Sequence, residues 1–439
     1  MGGWLKEEHN LLKKVLQKFF MEGCEVMMFT RKTRLLGTVK IILLVALLLT
    51  LIVSQAGAVE KTIKIWGIGA EGEKLPELIE QFEKANPDIK VKLEALSWGV
   101  AHDKMVTSIA AGTAPDVMQM GSTWITEFAE MGAIANLDKY VKGWDGLRDM
   151  LTASMEINKY QGSYYGVPWY VDVRATFWRK DLFKAAGYDR PPATWDELVE
   201  MRQKLHTDDM HWALATPPGG NDAYLTWIGY LWSNGGELLT PDNKKAAFNS
   251  PEGVEALQFY SDLFNKYKIA PAVVAGGVDA EEGFKTGYYA MFAAGPWMIG
   301  SLTQALGKEK VGLMLAPKKK YSSSFLGGCE LVILEQSKNK DAAWKFIEYC
   351  ASTEGEIKLF KLLGNIPGRL SVQEEIKGVS EIADIFIEQS KYSKSTPAIP
   401  QTEKIGTIID EAIENVCIGG ADPKEELDRA ATKVNELLK

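Results

Sequence analysis

The residues of this 439-residue chain that could do chemistry are aromatic side chains standing near acids and one arginine. Asp172 and Arg174 lie two residues apart, so in an extended segment both side chains point to one face. Aromatic rings pack on the apolar faces of pyranoses, while carboxylates and guanidiniums hydrogen-bond hydroxyls. The pattern therefore indicates a sugar site. Its candidate residues are Trp98, Trp124, Asp172, Arg174, Asp222, Tyr224 and Trp297.

Two features of this set, the strand-end tryptophans and the Asp172–Arg174 pair, each allow two interpretations. The chain has 13 tryptophans, so several must be core residues, and each strand-end tryptophan is either a sugar platform or a packing residue. Asp172 and Arg174 either clamp a hydroxyl together or simply neutralise each other.

A second motif, residues 67–72, has the G-x-G-x-x-G spacing of dinucleotide sites, with Glu94 near the position of a ribose-binding acid. Glu71 and Glu73 at the start of the following helix would repel a pyrophosphate. The glycines suit a loop bordering a cleft equally well. The histidines beyond residue 58 are His102, His206 and His211, and they lack zinc-site spacing. We therefore predict no cofactor and no metal.

The N-terminal region has the pattern of a secretory signal peptide. A basic cluster over residues 31–40 precedes an apolar run over 41–53, and small residues lead to Ala58. We predict export, with cleavage after Ala58, to the periplasm or cell surface; an uncleaved anchor is the alternative. No cysteine follows the run, so no lipid anchor is expected. Residues 1–27 precede an ordinary start at Met27 or Met28, which leaves their translation open.

The charge of the exported part argues against nucleic acid as a partner. The first 58 residues hold 8 of the 50 Lys/Arg and 4 of the 58 Asp/Glu, so 42 basic and 54 acidic residues remain, a net charge of −12. An acidic exported chain is unsuited to polyanions.

Strand and helix patterns alternate along the chain, which predicts an α/β protein with mainly parallel sheets. Predicted strands cover 62–66, 89–96, 116–120 and 330–334. Predicted helices cover 71–85, 102–111, 123–131, 195–205, 224–232, 251–264, 279–286, 340–351 and 424–438.

Five segments in order resemble the extracellular solute-binding proteins of sugar ABC importers, the family that contains maltose-binding protein. They are AAGTAPDV at 110–117, GVPW at 166–169, RKDLF at 179–183, PATWDEL at 192–198 and MFAAGPW at 291–297. The resemblance implies the type II periplasmic-binding fold, two hinged α/β lobes with the ligand cleft between them. It implies a first lobe of 59–170 plus 327–366 and a second of 171–326 plus 367–439, after a leader at 1–58.

The resemblance also suggests roles for individual residues. Asp172 and Asp222 look like ligand-binding acids of the second lobe, with Tyr224 and Trp297 as its aromatic platform and Trp124 opposite them. Gly327 and Gly328 look like a glycine turn where the chain recrosses the hinge. Arg369 either reaches the cleft or lies at the surface.

The implied function is capture of a small carbohydrate by lobe closure and delivery to the membrane subunits of an ABC permease, without catalysis and as a monomer. Where maltose-binding protein has an aromatic contact after Ile-Pro-Gln, this chain has Thr402, Glu403 and Lys404, which favours a mono- or disaccharide. Two alternatives stay open: a binding protein for a polyol or sugar phosphate, and an exported glycoside hydrolase.

Overall fold

The computed structural model describes residues 60–206, 211–220, 223–272 and 279–439. The predicted signal peptide and Asp222 lie outside these residues. The chain from Lys61 to Lys439 forms one unit, and the description below concerns it. Within the described part of the chain, no helix combines the length and the apolar character needed to cross a bilayer.

Twelve strands of the described residues form two main sheets and one small hairpin. In chain order they are β1 Lys61–Ile68, β2 Ile89–Leu96, β3 Val117–Gly121, β4 Lys159–Tyr160, β5 Ser163–Tyr164, β6 Val167–Val173, β7 Ala175–Arg179, β8 Trp212–Ala215, β9 Tyr289–Ala294, β10 Val311–Met314, β11 Leu326–Ile333 and β12 Ile366–Pro367. The larger sheet has the order β12-β6-β11-β3-β1-β2, the smaller β10-β7-β9-β8, and β4 pairs with β5.

Both sheets are mixed, which corrects the expectation of mainly parallel sheets. In the six-stranded sheet β1 pairs parallel with β2 and β3, whereas β11 runs antiparallel to β3 and β6. In the four-stranded sheet only β8 and β9 pair in parallel among the described strands. The difference arises because strands arriving from the other sheet join directly, without the crossover helix that a parallel pair needs.

The chain passes between the two sheets at Arg174. β6 ends at Val173 in the six-stranded sheet, and β7 begins at Ala175 in the four-stranded sheet. The returning chain enters the six-stranded sheet at Leu326, which pairs with Val173. Two neighbouring connections between the sheets therefore lie side by side.

The helices of the described residues surround both sheets. They are α1 Gly69–Ala85, α2 Trp98–Ala111, α3 Ile125–Glu130, α4 Asp138–Val141, α5 Thr152–Ile157, α6 Lys180–Ala185, α7 Trp195–Leu205, α8 Ala223–Ser233, α9 Pro251–Asn265, α10 Ala280–Thr286, α11 Met298–Leu306, α12 Lys340–Cys350, α13 Thr353–Leu363, α14 Leu370–Ile376, α15 Glu381–Ser390, α16 Thr402–Cys417 and α17 Pro423–Leu437, with 3-10 turns at Ser122–Trp124 and Asp145–Arg148.

Helix starts are fixed locally by capping side chains. Thr194, Ser250, Asp279 and Ser352 each accept a hydrogen bond from the backbone N–H three residues on, which satisfies an otherwise unpaired donor of α7, α9, α10 or α13. The caps of α7, α9 and α10 explain why the predicted starts of these three helices agree with the structure to within one residue.

Separate apolar cores hold each sheet to its helices. One core joins Ile65 and Leu331 of the six-stranded sheet to Phe82 of α1 and Phe346 of α12. Another joins Met291 of the four-stranded sheet to α8, α9, α16 and α17. The C-terminal helices α16 and α17 therefore belong to the layer over the four-stranded sheet.

Candidate functional site

Asp172 and Arg174 form a bidentate ion pair where the chain passes between the sheets. Arg174 donates from Nε to Oδ1 of Asp172 at 3.0 Å and from Nη2 to Oδ2 at 3.1 Å. The Asp172 side chain is 15% exposed and that of Arg174 is 32% exposed, so the pair remains accessible. The structure thus brings the two residues together on one face, as their spacing predicts.

Asp172 lies on a strand of the six-stranded sheet, whereas the resemblance placed it on the second lobe. It sits in β6 and pairs with Gly327 of β11. The physical reason is that β6 continues through Val173 before the chain leaves the sheet. The acid and its arginine therefore belong to the connection between the sheets.

The Trp297 indole completes this cluster from the four-stranded side. The Arg174 guanidinium carbon is 4.9 Å from the Trp297 ring centroid, within the range of a cation–π contact. A Cβ at Gly295 would collide with the Trp297 ring, so this glycine allows the indole to fold over the backbone after β9. A partly exposed aromatic ring, a guanidinium and a carboxylate are consequently contiguous.

Gly327 and Gly328 are strand residues, which corrects the expected glycine turn. Both lie in β11, where they pair with Asp172 and Val171. A Cβ at Gly328 would approach the Tyr170 carbonyl oxygen to 2.9 Å, and one at Gly327 would meet the Phe325 ring. Glycine is therefore required for close packing at the sheet connection, not for a turn.

The two tryptophans of the first predicted lobe are exposed to different degrees. Trp98, the first residue of α2, is 42% exposed, while Trp124 is 8% exposed. The Trp124 ring packs edge-on against Trp98 at 5.7 Å and against His102 at 5.1 Å between centroids. Trp98 therefore presents the larger surface, and Trp124 supports it from behind.

His102 links this aromatic group to charged neighbours. Its Nε2 lies 3.1 Å from Glu127 Oε2, and this hydrogen bond raises the pKa of His102 against the opposing effect of burial. Glu403, near the start of α16, raises it further. Since α16 also contacts the Ser122–Trp124 turn, this helix reaches from the four-stranded layer to the aromatic group.

Tyr224 is packed inside the layer over the four-stranded sheet. It is 5% exposed, and its ring lies against Gly406 of α16. Its backbone N–H donates to Asp410 Oδ1 at 2.7 Å, so Asp410 caps the start of α8. The Tyr224 ring is therefore largely covered by α16 and has little exposed surface.

Arg369 stands apart from this group, which corrects the suggestion that it reaches the cleft. It is 7% exposed, donates from Nε to the Ala351 carbonyl at 2.6 Å and pairs with Asp149 at 3.3 Å. Its guanidinium also lies 5.2 Å from the Trp144 ring centroid. Arg369 thus ties α13, α14 and the Asp145–Arg148 turn together.

The G-x-G-x-x-G segment has a packing explanation. A Cβ at Gly67 would approach the Gly72 Cα to 2.7 Å, and Gly69 has a φ of +62°. Glu71 is buried and accepts a hydrogen bond from Asn365 Nδ2 at 2.7 Å, while burial raises its pKa. The glycines accordingly permit a tight passage from β1 into α1.

A cavity next to Arg174 was not predicted from the sequence. It has a volume of about 780 Å³, counting its open mouth, and lies between one face of the four-stranded sheet and α8. Its lining comes from segments as distant as Thr176 and Ser323. The alternation along β9, which turns Met291 and Ala293 to the same face, is the one sequence signal that points to it.

Comparison with known proteins agrees with this arrangement. Residues 66–357 match the family model of the bacterial extracellular solute-binding proteins. The chain is 32% identical to an ABC transporter solute-binding protein from Thermotoga lettingae, solved with α-D-tagatose, with a TM-score of 0.81 over 86% of this chain and 100% of that one.

Two further relatives are each 26% identical. They are a maltotriose-binding protein of Pyrococcus abyssi, over 82% of this chain and 78% of the relative, and a diacetylchitobiose-binding protein of Streptomyces coelicolor, over 79% and 82%. The predicted two-lobed fold is confirmed by the solved structure, and export agrees with an extracellular family. The chain belongs to the bacterial extracellular solute-binding proteins, as the resemblance predicted.

Proposed function

We propose that this protein is the substrate-binding component of an ABC importer and that it captures a mono- or disaccharide between its lobes. The observation that carries the proposal is the bidentate Asp172–Arg174 ion pair, called the fork below, which lies beside the Trp297 ring. A carboxylate accepts hydrogen bonds from sugar hydroxyls, a guanidinium donates them, and an indole face packs against sugar C–H groups. The named ligands of the three relatives, tagatose, maltotriose and diacetylchitobiose, support a carbohydrate.

The location of the fork suggests how binding is coupled to closure. Asp172 belongs to the six-stranded sheet, Trp297 follows β9 of the four-stranded sheet, and Arg174 lies between the sheets. A sugar that contacts both sides gains more interactions when the lobes close, so it shifts the equilibrium toward the closed form. The closed form is the one that we expect the permease subunits to recognise.

The residues at the start of α16 favour a short ligand. This helix begins at Thr402 and contacts the Ser122–Trp124 turn. Glu403 and Lys404 stand there in place of an aromatic residue. An extended oligosaccharide would need further stacking surface in this region, so we propose that one or two sugar rings fill the site.

The proposal also covers the lobe boundaries, the other binding residues, the oligomeric state and the signal peptide. The lobes comprise 59–173 with 326–367 and 174–325 with 368–439, which are the expected bounds moved so that β6, β11 and β12 stay whole. Binding involves Trp98, Trp124, Asp222, Tyr224, Gly327 and Gly328 besides the fork and Trp297. The protein works as a monomer without catalysis. Its signal peptide is removed after Ala58, so N-terminal sequencing of the native protein is expected to begin at Val59.

Calorimetry over a panel of mono- and disaccharides, with polyols and sugar phosphates beside them, tests the main proposal. We expect micromolar or tighter binding of at least one sugar, with a smaller radius of gyration in X-ray scattering. Chromogenic glycosides serve as the control for catalysis and should show no turnover. A panel without any binding sugar would refute the proposal, whereas binding of only polyols or sugar phosphates would redirect it to the other solute class.

A further inference from the structure

His102 is held by the layer of helices over the six-stranded sheet. It lies on α2, whose Met105 packs in one apolar core with Met118 of β3. The imidazole ring packs against Trp124 at 5.1 Å and against Phe128 at 5.4 Å between centroids. The His102 side chain is nevertheless 30% exposed. These contacts fix the ring to the first lobe and leave part of it accessible to a charged partner from outside that lobe.

Three carboxylates act on the His102 ring. Its Nε2 lies 3.1 Å from Oε2 of Glu127 on α3, and its Nδ1 lies 3.8 Å from Oδ1 of Asp103, the next residue of α2. The hydrogen bond to Glu127 raises the pKa of His102 most, burial opposes that effect, and the charges of Glu403 and Asp103 raise the pKa further. All three carboxylates therefore favour the protonated, positively charged imidazole.

Glu403 acts on this ring from the other lobe. It is the second residue of α16, and Ile405 of that helix packs in the apolar core that contains Met291 of the four-stranded sheet. The same helix contacts the Ser122–Trp124 turn, against which His102 packs. Of the three carboxylates, Glu403 is thus the one that is carried by a helix of the second lobe.

Opening of the lobes changes the surroundings of His102 unequally. Glu127 and Asp103 move with His102 as parts of the first lobe, so their effect on its protonation is the same in the open and the closed form. Opening separates Glu403 from His102, and the attraction between two charges falls with distance. The closed form therefore holds the His102 proton more tightly than the open form, and by linkage the proton favours closure in return.

We propose that protonated His102 and Glu403 form a charged latch across the cleft, which stabilises the closed, sugar-bound form. This inference rests on the proposed carbohydrate function and adds a pH dependence to it. His102 is a positioning residue in this mechanism, because it acts through closure of the lobes and not through contact with the sugar. The protein should accordingly retain its sugar better in a mildly acidic medium.

The sign of the pH effect follows from the higher pKa of His102 in the closed form. The latch is fully present below the pKa of the open form and is lost as pH rises through the pKa of the closed form. A partly exposed ion pair shifts an equilibrium by about two- to fivefold. Sugar affinity should therefore fall by about two- to fivefold between pH 5.5 and 8.5, and binding at intermediate pH should take up a fraction of a proton.

Calorimetry with the sugar of the panel that binds most tightly, run in buffers of different ionisation enthalpy, measures affinity and proton uptake together. Glu403→Gln should abolish proton uptake and flatten the pH dependence, with the affinity at pH 8.5 unchanged. Glu127→Gln should keep the dependence but move it to lower pH, because it removes a carboxylate that acts in both forms. His206→Gln, which changes a histidine packed on Trp212 of β8, is the matched control and should reproduce the parent profile.

Proton NMR provides a direct readout at His102. The ring signal that His102→Gln removes should titrate with a higher pKa in the sugar-saturated protein than in the sugar-free protein, and the two pKa values should coincide in Glu403→Gln. Sugar binding with an unchanged His102 pKa, or proton uptake that survives in Glu403→Gln, would overturn the latch and leave the carbohydrate function standing. If no sugar of the panel binds, the carbohydrate function and the latch that rests on it are both refuted.

Discussion

Arg174 holds Asp172 in a two-pronged hydrogen-bonded pair, at 3.0 and 3.1 Å, at the point where the chain leaves one sheet for the other. Neither partner is fully buried, so the pair can exchange part of its mutual hydrogen bonding for sugar hydroxyls. This location distinguishes it from the exposed Arg190–Glu197 fork, which has similar geometry on a surface loop and helix. The two forks provide a matched comparison.

Arg174→Met should weaken sugar binding by about 10- to 100-fold, because hydrogen bonds to charged groups contribute roughly 1.5–3 kcal/mol. The substitution also removes the cation that faces Trp297. Calorimetry with the best sugar of the panel measures the loss. Arg190→Met removes the surface fork and should leave affinity unchanged; an equal loss in both variants would contradict a specific role for Arg174.

Truncation of Trp98 should lower sugar affinity, whereas truncation of Trp124 should lower the stability of the fold. Trp98→Ala should lower affinity by about two- to tenfold, since an aromatic contact adds on the order of 0.5–1.5 kcal/mol, with little change in stability. Trp124→Ala should cost about 3–5 kcal/mol of unfolding free energy, because its ring is buried against Trp98 and His102.

Urea unfolding and calorimetry on both variants separate these effects. Trp98→Phe keeps a ring at the exposed position and should recover most of the affinity. A Trp98→Ala variant that unfolds as readily as Trp124→Ala would show that Trp98 is a packing residue.

Gly328→Ala should destabilise the protein by about 1–3 kcal/mol, the usual range for an overpacked site. Its Cβ would stand 2.9 Å from the Tyr170 carbonyl oxygen, and a backbone atom of a neighbouring strand cannot easily move. Gly300→Ala is the control, since its Cβ meets nothing within 4 Å on α11. That variant should be neutral or more stable by up to about 1 kcal/mol. Thermal unfolding compares the two.

Glu330 should make stability fall as pH rises. Burial raises its pKa to about 8 from 4.5, while a hydrogen bond from Asn158 at 2.8 Å partly opposes the shift. Between these values the folded protein binds a proton at Glu330 that the unfolded chain has released. The stabilisation is therefore complete below about pH 4.5 and is lost as pH approaches 8, at roughly 1.4 kcal/mol per pH unit at most.

Glu330→Gln should flatten this dependence and raise the unfolding temperature at pH 8 relative to the parent protein. Glu356, whose pKa burial also raises to about 8, should leave a residual slope in the same direction. Glu348→Gln on the exposed face of α12 is the control and should reproduce the parent curve. Parallel curves for Glu330→Gln and the parent between pH 5 and 8 would contradict the prediction.

Several features could be predicted from local sequence because local physics determines them. β2 at Ile89–Leu96 and α7 at Trp195–Leu205 have the predicted bounds, since a clear apolar period and a Thr194 cap specify α7. The pairing of Asp172 with Arg174 follows from their spacing in an extended strand. Ordered motifs likewise identified the family.

Tertiary structure alone decided the rest. Trp98 and Trp124 are equivalent in sequence terms, yet packing against His102 exposes one and buries the other. The Gly327-Gly328 pair suggests a turn in the sequence, but pairing with the neighbouring strand β6 makes both residues part of β11. Arg369 forms an ion pair with Asp149. Thr176 and Ser323, which are far apart in the sequence, both line the cavity beside Arg174. Contacts across such sequence distances depend on how whole elements pack, which no local pattern encodes.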